Sequence, residues 1–229
     1  MTAMKWLAAI ALIGSLGAAF AEELPESWDG LVEVKAKKMD AAYLMPGADF
    51  RPYTKVMIDR TQVAFRKDWL KDQNAQRSMS RRVTDEDATK ILTAAQENFD
   101  DIFVEAFREA GYEVVTAPGP DVLRVSTAVV NLYVNAPDVM SAGRSRSYTT
   151  EAGEATLVIE VRDSLTGALM GRVLDRRATR SGAQLATSVT NTSDFRALFK
   201  QWAGVTTAGL ANLKAVSPVP ADLKPKQKL

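Results

Sequence analysis

Hydrophobic residues recur at helical spacing between Thr84 and Ala110, and this stretch is the clearest helix pattern in the chain. Thr84 suits the N-cap, and three consecutive acids follow it where the helix dipole favours negative charge. Gly111 suits the position after the last turn, because glycine adopts the left-handed backbone without strain. The apolar residues that share one face are Ala88, Leu92, Ala95, Phe99, Ile102 and Ala106.

A second helix is predicted to begin at Ser193, which is a suitable N-cap. Two glycines inside it, Gly204 and Gly209, each lower helix stability by roughly 1 kcal/mol relative to alanine. Packing of an apolar face therefore has to stabilise this helix. The residues of that face are Phe195, Leu198, Phe199, Trp202, Val205 and Leu213.

Elsewhere the apolar pattern changes to the alternation and β-branched runs that are typical of strands. The alternation is clearest at residues 156–161, and the longest β-branched run covers residues 122–134. A turn at Asp163–Gly167 would join residues 156–161 to an antiparallel partner at 168–179. Weaker strand candidates are residues 31–44, 53–65 and 112–115.

This order of elements predicts an α+β fold. A strand region comes first, a long helix follows, and three strands precede the second helix. We expect an antiparallel or mixed sheet with two amphipathic helices packed on one of its faces, since both helices need a surface on which to bury their apolar stripe.

The two ends of the chain are expected to lie outside the domain. Residues 1–21 have the pattern of a secretory signal peptide, with Lys5, an apolar run and a small-residue cleavage site that ends at Ala21. The alternative is an uncleaved membrane anchor, although an apolar run of about fifteen residues is short for a span of about twenty. Cleavage after Ala21 would place the chain in the periplasm without a transmembrane span. Residues 214–229 are predicted to form a disordered basic tail, which leaves 22–213 as a single domain.

The charge balance and the missing residue types restrict the function. The sequence has 29 Lys and Arg residues and 28 Asp and Glu residues, and this balance argues against nucleic-acid binding, which depends on neutralising phosphates. It has no Cys and no His, which excludes disulfides, Cys/His zinc sites, Ser–His or Cys–His catalytic pairs and a lipid anchor on cysteine. We therefore predict no enzymatic activity and no catalytic, cofactor-binding or metal-binding residues.

The stretch from Tyr43 to Tyr53, YLMPGADFRPY, resembles a site more than any other segment does. It combines aromatic side chains with the turn formed by Pro46 and Gly47. One interpretation is a ligand corner in which Tyr43, Phe50 and Tyr53 hold a lipid or glycan. The other is a structural corner that buries the same rings under the sheet edge, and this is the one that the pattern favours, since no amide cluster or charged triad accompanies them.

Two charged segments are candidates for contact with a partner. Arg144, Arg146 and Tyr148 lie in a polar loop, and Arg and Tyr are frequent in interfaces as well as in plain solvated loops. Residues 60–82 are rich in basic side chains and precede the acidic helix. They either dock on that helix through exposed ion pairs or form an interface of their own, and the first alternative is favoured.

Residues 31–69 resemble the signature segment of a bacterial exported family, the domain of unknown function 3313. The matching features are Tyr43, the Pro46–Asp49 turn, Tyr53–Val56 and Trp69. The hairpin VRDSLTGALMG and the FKQWA of the last helix are similar to the family as well. Members are often described as lipoproteins, but this chain lacks the cysteine that such an anchor requires. The resemblance implies no activity, because none is established for the family.

The order of elements is also similar to that of exported accessory domains, such as the curli-secretion lipoprotein and the amino-terminal domain of TolB. Those domains bind envelope proteins, although a likeness of architecture is a weak guide to function. The sequence therefore predicts a periplasmic, non-enzymatic module that binds an envelope protein or assembles with itself. The alternative is a carrier of a small ligand, a lipid or glycan, that uses the Tyr43–Tyr53 region.

Overall fold

The computed structural model describes residues 25–75, 77–134, 148–149, 153–179, 184–185 and 188–229. In these parts of the chain the fold is α+β, as predicted, with a mixed nine-stranded sheet and three α-helices. No helix in them is long and apolar enough to cross a membrane. The predicted signal peptide and its cleavage site at Ala21 lie outside the described residues.

The strands of the sheet are β1 (Ser27–Trp28), β2 (Leu31–Val34), β3 (Ala41–Leu44), β4 (Lys55–Ile58), β5 (Gln62–Phe65), β6 (Glu113–Val114), β7 (Val122–Val134), β9 (Gly153–Asp163) and β10 (Leu169–Thr179), with β8 (Tyr148–Thr149) and β11 (Gln184–Leu185) as a separate pair.

The long β-branched strand β7 organises the sheet. Its inward-facing side chains, such as Val125 and Val129, are completely buried. It pairs with β9 antiparallel on one side and with β4 and β5 in parallel on the other, so the sheet is mixed. The order across the sheet is β1-β2-β3-β10-β9-β7-β4-β6, and β5 continues the line of β4 along β7.

The helices are α1 (Trp69–Asn74), α2 (Asp85–Glu109) and α3 (Ser188–Val216). The predicted N-cap of α2 is confirmed, since Thr84 and Asp87 form a reciprocal capping box. The helix α3 begins at Ser188, earlier than the predicted start at Ser193. Its first turns have no apolar periodicity, so the hydrophobic pattern did not predict them as helix. Helices α2 and α3 pack side by side and share one core with the inner face of the sheet.

The core between helices and sheet is strongly aromatic. Phe99 stacks on Phe103 at 4.1 Å between ring centroids and meets Phe199 edge to face. A buried polar contact fixes α3 on the sheet, because Trp202 Nε1 donates to Asp175 Oδ2 at 2.7 Å. Together these contacts confirm that both helices lie on one face of the sheet.

The C-terminal segment differs from the predicted disordered tail. Val219 and Leu223 are buried in the main core, with 1% and 7% of their surface exposed. The amide of Lys226 donates to the carbonyl of Glu33, so the segment also follows strand β2. The sequence pattern did not predict that this segment is ordered, because two isolated apolar residues between prolines and lysines show no periodicity. Each of the two side chains is nevertheless large enough to contribute to a core.

Candidate binding site at the end of the helix layer

The sheet and helices have two ends that differ in their packing. At the first, the residues around the start of β7 meet the 43–53 segment, the 163–167 turn and the C-terminal segment; we call this the corner end. At the second, β7 finishes beside α1 and the first half of α2. A surface depression of about 560 Å³ lies there. We call it the α1–α2 depression, and its lining residues are Phe65, Arg66, Asp68, Trp69, Leu70, Lys71, Asn74 and Ala88.

A reversal of the chain between β5 and α1 builds the floor of the depression. Asp68 has a left-handed backbone with φ of 63°, a conformation that aspartate tolerates better than most residues. The reversal stacks Trp69 on Phe65, with parallel rings whose centroids are 3.7 Å apart. Trp69 is 1% exposed, and its Nε1 donates to the carbonyl of Val134 at 2.8 Å. This stack is therefore anchored to the last residue of β7.

Helix α2 is covered unevenly along its length. In its second half Phe99, Ile102, Phe103 and Phe107 are buried. In its first half the apolar residues remain only half-buried, although they continue the same stripe and contact the edge of the core. These residues are Ala88, Ile91, Leu92 and Ala95. Apolar surface is therefore left accessible where the depression lies.

The rim of the depression carries charge of both signs. Arg66 lies over the ring of Tyr133 at 4.1 Å and pairs with Asp72 and Glu154. Lys71 is exposed, and no salt bridge of Lys71 is found within the described parts of the chain. Asn74 closes the far wall, since its side chain donates to the carbonyl of Val83 and accepts from the same residue's amide. The short helix α1 is thereby fixed to the start of α2.

Two aromatic side chains of the 43–53 segment are buried at the corner end. Phe50 is completely buried and Tyr53 is 7% exposed, both in the main core. The Tyr53 hydroxyl donates to Asp163 Oδ2 at 2.9 Å, and burial together with this bond raises the pKa of Tyr53 to about 12. The C-terminal segment clamps the turn, because the amide of Gly47 donates to the carbonyl of Val219 at 3.0 Å.

Tyr43 does not join the other two aromatic residues of the predicted corner. It lies on the opposite face of the sheet, in a small cluster with Leu31 and Leu174. Its ring meets Trp28 edge to face at 6.0 Å. Burial, more than the negative charge of nearby Glu33, raises the pKa of the Tyr43 hydroxyl. The three aromatic side chains of the predicted ligand corner are thus divided between two clusters.

That opposite face also carries a buried arginine. Arg172 is 7% exposed and lies over the Trp28 ring at 4.0 Å. Its guanidinium pairs with Glu160 at 2.5 Å and with Asp29 at 2.8 Å. Two carboxylates compensate one guanidinium, and Trp28 belongs to the edge strand, so the cluster holds the first hairpin on the sheet.

The other predicted contact residues can be placed only in part. Arg144 and Arg146 lie outside the described residues, and Tyr148 belongs to the short strand β8, where its backbone alone is described. In the basic run of 60–82, Arg66 pairs with Asp72 and Glu154 and not with the acidic helix. Thr61 does approach that helix, because its amide donates to Asp100 at 3.1 Å. At Thr61 the contact with α2 is therefore a hydrogen bond from the main chain and not an ion pair.

Sequence reasoning missed the depression. Phe65 ends the predicted strand 53–65 and Trp69 ends the segment that resembles the family, so the sequence gives no reason to place the two rings together. Residues four apart lie on the same face of a helix. Phe65 belongs to strand β5, however, so this spacing does not explain why its ring meets that of Trp69. The left-handed backbone of Asp68 brings the two rings together, and no local sequence pattern predicts that conformation. No group of Asp, Glu, His or Cys that could hold a metal occurs among the residues that the structure describes.

Comparison with known proteins gives a family and a set of distant structural neighbours. The family model "Protein of unknown function (DUF3313)" matches residues 21–205. No curated protein matches the chain. Among solved structures, the PelC dodecamer from Paraburkholderia phytofirmans is similar at 13% identity, with a TM-score of 0.37, over 72% of this chain and 96% of that one. A Xanthomonas campestris protein described by the family model DUF330 is similar at 10% identity, with a TM-score of 0.36, over 73% and 90%.

Proposed function

We propose that this chain, which belongs to the DUF3313 family of proteins of unknown function, is a non-enzymatic binding module of the bacterial cell envelope. Residues 1–21 supply the reason for the location, since they have the pattern of a cleaved secretory signal. The absence of Cys and His from the whole sequence supports binding rather than catalysis, because the common nucleophile–base pairs cannot form.

The observation that carries this proposal is the α1–α2 depression. Its volume of about 560 Å³ falls within the range of about 300–1,000 Å³ that is usual for small-molecule sites. Its walls continue an apolar stripe of α2 that the core covers only in part. Accessible apolar surface with a polar rim is typical of binding sites in proteins that otherwise bury such residues.

The small extent of this open depression favours a small ligand over the protein partner or second copy that the charge pattern suggests. A protein interface needs roughly 800 Å² on each partner, whereas the depression is formed by two short stretches, 65–74 and the first turn of α2. We therefore place the proposed small-ligand site in the α1–α2 depression and not in the 43–53 segment, whose rings are buried.

The test is site-specific photocrosslinking in living cells. A photoreactive phenylalanine analogue replaces Lys71 at the rim of the depression. The matched control replaces Leu165, which is 59% exposed in the turn at the corner end. We expect an adduct with an envelope component at position 71 and none at position 165. Absence of any adduct at position 71, or equal adducts at both positions, would refute the depression as the binding surface.

A further inference from the structure

We infer that the open edge of strand β5 pairs antiparallel with the same edge of a second copy of this chain, so that the sheet continues across a two-fold axis at Ala64. The inference goes beyond the proposed function and does not rest on it, because it uses main-chain groups at the sheet edge. Three observations carry it: β5 has a row of outward main-chain groups, it lacks the features that protect the other edges, and helix α2 is incompletely covered beside it.

The residue before β5 shows which way the main chain of this strand is directed. Thr61 directs its amide and its carbonyl away from β7 and toward helix α2. The amide donates to Asp100 Oδ1 at 3.1 Å, and the carbonyl accepts from the side-chain amide of Gln96. Side chains of α2 therefore satisfy the outward main-chain groups at this one position.

The next outward groups of β5 have no such partner. Arg66, just after the strand, donates its amide to the carbonyl of Leu132 on β7 at 3.0 Å, so its main chain is directed inward. Successive residues of a paired strand alternate in this respect, so the main chains of Val63 and Phe65 are directed outward, like that of Thr61. No hydrogen bond to these outward groups is found in the described parts of the chain. Two amides and two carbonyls thus form a short open row.

The other edges of the sheet are short or covered. Edge strands β1 and β6 have two residues each. The C-terminal segment covers the edge of β2 beyond β1, since the amide of Lys226 donates to Glu33 and the amide of Lys35 donates to Gln227. Strand β5, with the sequence QVAF, has four residues and contains neither a charge nor a proline. An open edge without these protective residues is a template for pairing with another strand.

Helix α2 is least covered beside this edge. Its first half runs along β5, since Thr61 is bonded to Gln96 while Phe65 and Ala88 line the same depression. Ala88 and Leu92, in this half, are only half-buried. Beside β4 the sheet continues with β6, whereas no strand follows β5 among the residues that the structure describes. One further strand beside β5 would therefore complete both the sheet and the cover of α2.

The open edge is complementary to itself. In an antiparallel pair centred on Ala64, Val63 of each copy lies opposite Phe65 of the other, and the outward amides and carbonyls of both residues bond across the axis. Thr61 keeps its contacts with α2 in this register. The two Ala64 side chains meet at the axis, where their small size allows close approach. The contact is isologous, so it forms a closed dimer.

The charges that flank β5 agree with this register. It brings Arg60 of one copy toward Asp68 of the other, and the two-fold axis repeats the contact. Both residues are exposed, and neither has a salt bridge within the part of the chain that the structure describes. Opposite charges therefore meet twice, which favours a second copy over an extended peptide without such charges.

The first test is the oligomeric state of the purified protein, measured by sedimentation equilibrium over a range of concentrations. We expect a reversible dimer, and a protein that stays monomeric at millimolar concentration would overturn the inference. Ala64→Lys should weaken the association by at least about tenfold, since it brings like charges together at the axis. The matched control is Ser27→Lys, which is exposed on the opposite edge strand and should leave the association unchanged.

A mixture of variants separates repulsion at the axis from misfolding. Ala64→Glu alone should associate as poorly as Ala64→Lys, whereas an equal mixture of the two should form a heterodimer, because each Lys then lies opposite a Glu. Melting curves by circular dichroism check that each variant folds. Wild-type association of Ala64→Lys, or a mixture of folded variants that does not associate, would overturn the inference.

Hydrogen exchange followed by NMR identifies what covers the edge. The amides of Val63 and Phe65 should exchange quickly in dilute protein and become protected as the concentration rises. The amide of Thr61, which is bonded to Asp100, is the control and should be protected equally at all concentrations. Dimerisation without protection of Val63 and Phe65 would place the interface elsewhere. Protection of the two amides in the monomer would show that another segment of the chain covers the edge, and either result would overturn the inference.

Discussion

The corner end and the depression end of this molecule differ in how completely their aromatic side chains are buried. At the corner end Phe50 and Tyr53 are buried in the core, and the Tyr53 hydroxyl is bonded to Asp163. At the depression end Trp69 is buried as well, but Phe65, which stacks on it, is only half-buried and lines an open depression. The rings of the segment that most resembles a site in the sequence are therefore buried, whereas a segment that resembles an ordinary strand end borders the candidate site.

The difference shows that aromatic density alone does not identify a binding site. What separates the two ends is whether neighbouring segments complete the packing. The C-terminal segment completes it at the corner end, where the amide of Val219 donates to the carbonyl of Ala48 at 2.8 Å and the amide of Phe50 donates to Ser217 Oγ at 3.1 Å. At the depression end, Asn74 fixes α1 to α2 but leaves the apolar stripe of α2 accessible.

The largest effect that tests this comparison is on α2, whose two halves differ in burial. Phe103→Ala removes a completely buried ring and should lower the free energy of unfolding by about 3–5 kcal/mol. Leu92→Ala, on the half-buried part of the same stripe, should lower it by about 1 kcal/mol. Urea denaturation measures both. Equal losses would mean that the first half of α2 is packed as tightly as the second.

The next effect concerns the C-terminal segment, whose burial completes the corner end. Val219 is 1% exposed and Val216 is 43% exposed, so the two form a matched pair three residues apart. Val219→Ala should lower the free energy of unfolding by about 2 kcal/mol, since two buried methyl groups are lost. Val216→Ala should change it by less than about 0.5 kcal/mol. If both variants unfold like the wild type, the segment does not stabilise the corner.

The sequence predicted those parts of the fold that depend on periodicity. The long stripe of α2, its Thr84 cap and the alternation of β9 are local signals, and they correctly implied two helices on one face of a sheet. Pairing between distant segments is not local. The parallel pairing of β4 and β5 with β7 joins segments more than 60 residues apart, and the docking of Val219 on the turn at Gly47 joins segments more than 170 residues apart.

The candidate site was beyond sequence reasoning for a related reason. It depends on one unusual backbone angle at Asp68 and on an incomplete covering of α2, and neither leaves a pattern in neighbouring residues. The turn in the 43–53 segment is easier to predict than the candidate site, because Pro46 and Gly47 form a typical turn sequence. Gly47 has the positive φ, 79°, that such a turn requires. A visible turn signal, however, indicates geometry and not function.

The smallest effect that we predict is a pH dependence that originates at the corner end. The carboxylate of Asp163 accepts from the amide of Thr166, which is the largest cause of its lowered pKa, and also from the hydroxyls of Thr166 and Tyr53. A carboxylate whose pKa is lowered by folding stabilises the folded state above its unfolded pKa of about 3.9. That stabilisation is lost as the pH falls through the lowered value.

Asp163→Asn should therefore reduce stability at neutral pH and flatten the loss of stability between about pH 5 and pH 3. Urea denaturation at both pH values measures the slope. The same variant should lower the pKa of Tyr53 from about 12, because the phenolate no longer faces a negative charge; NMR of the tyrosine ring carbons follows this titration. Lys71→Glu, at the depression end, is the control, and it should leave the Tyr53 pKa unchanged. A Tyr53 pKa that does not respond to Asp163→Asn would show that burial alone sets it and that the hydrogen bond does not hold the corner.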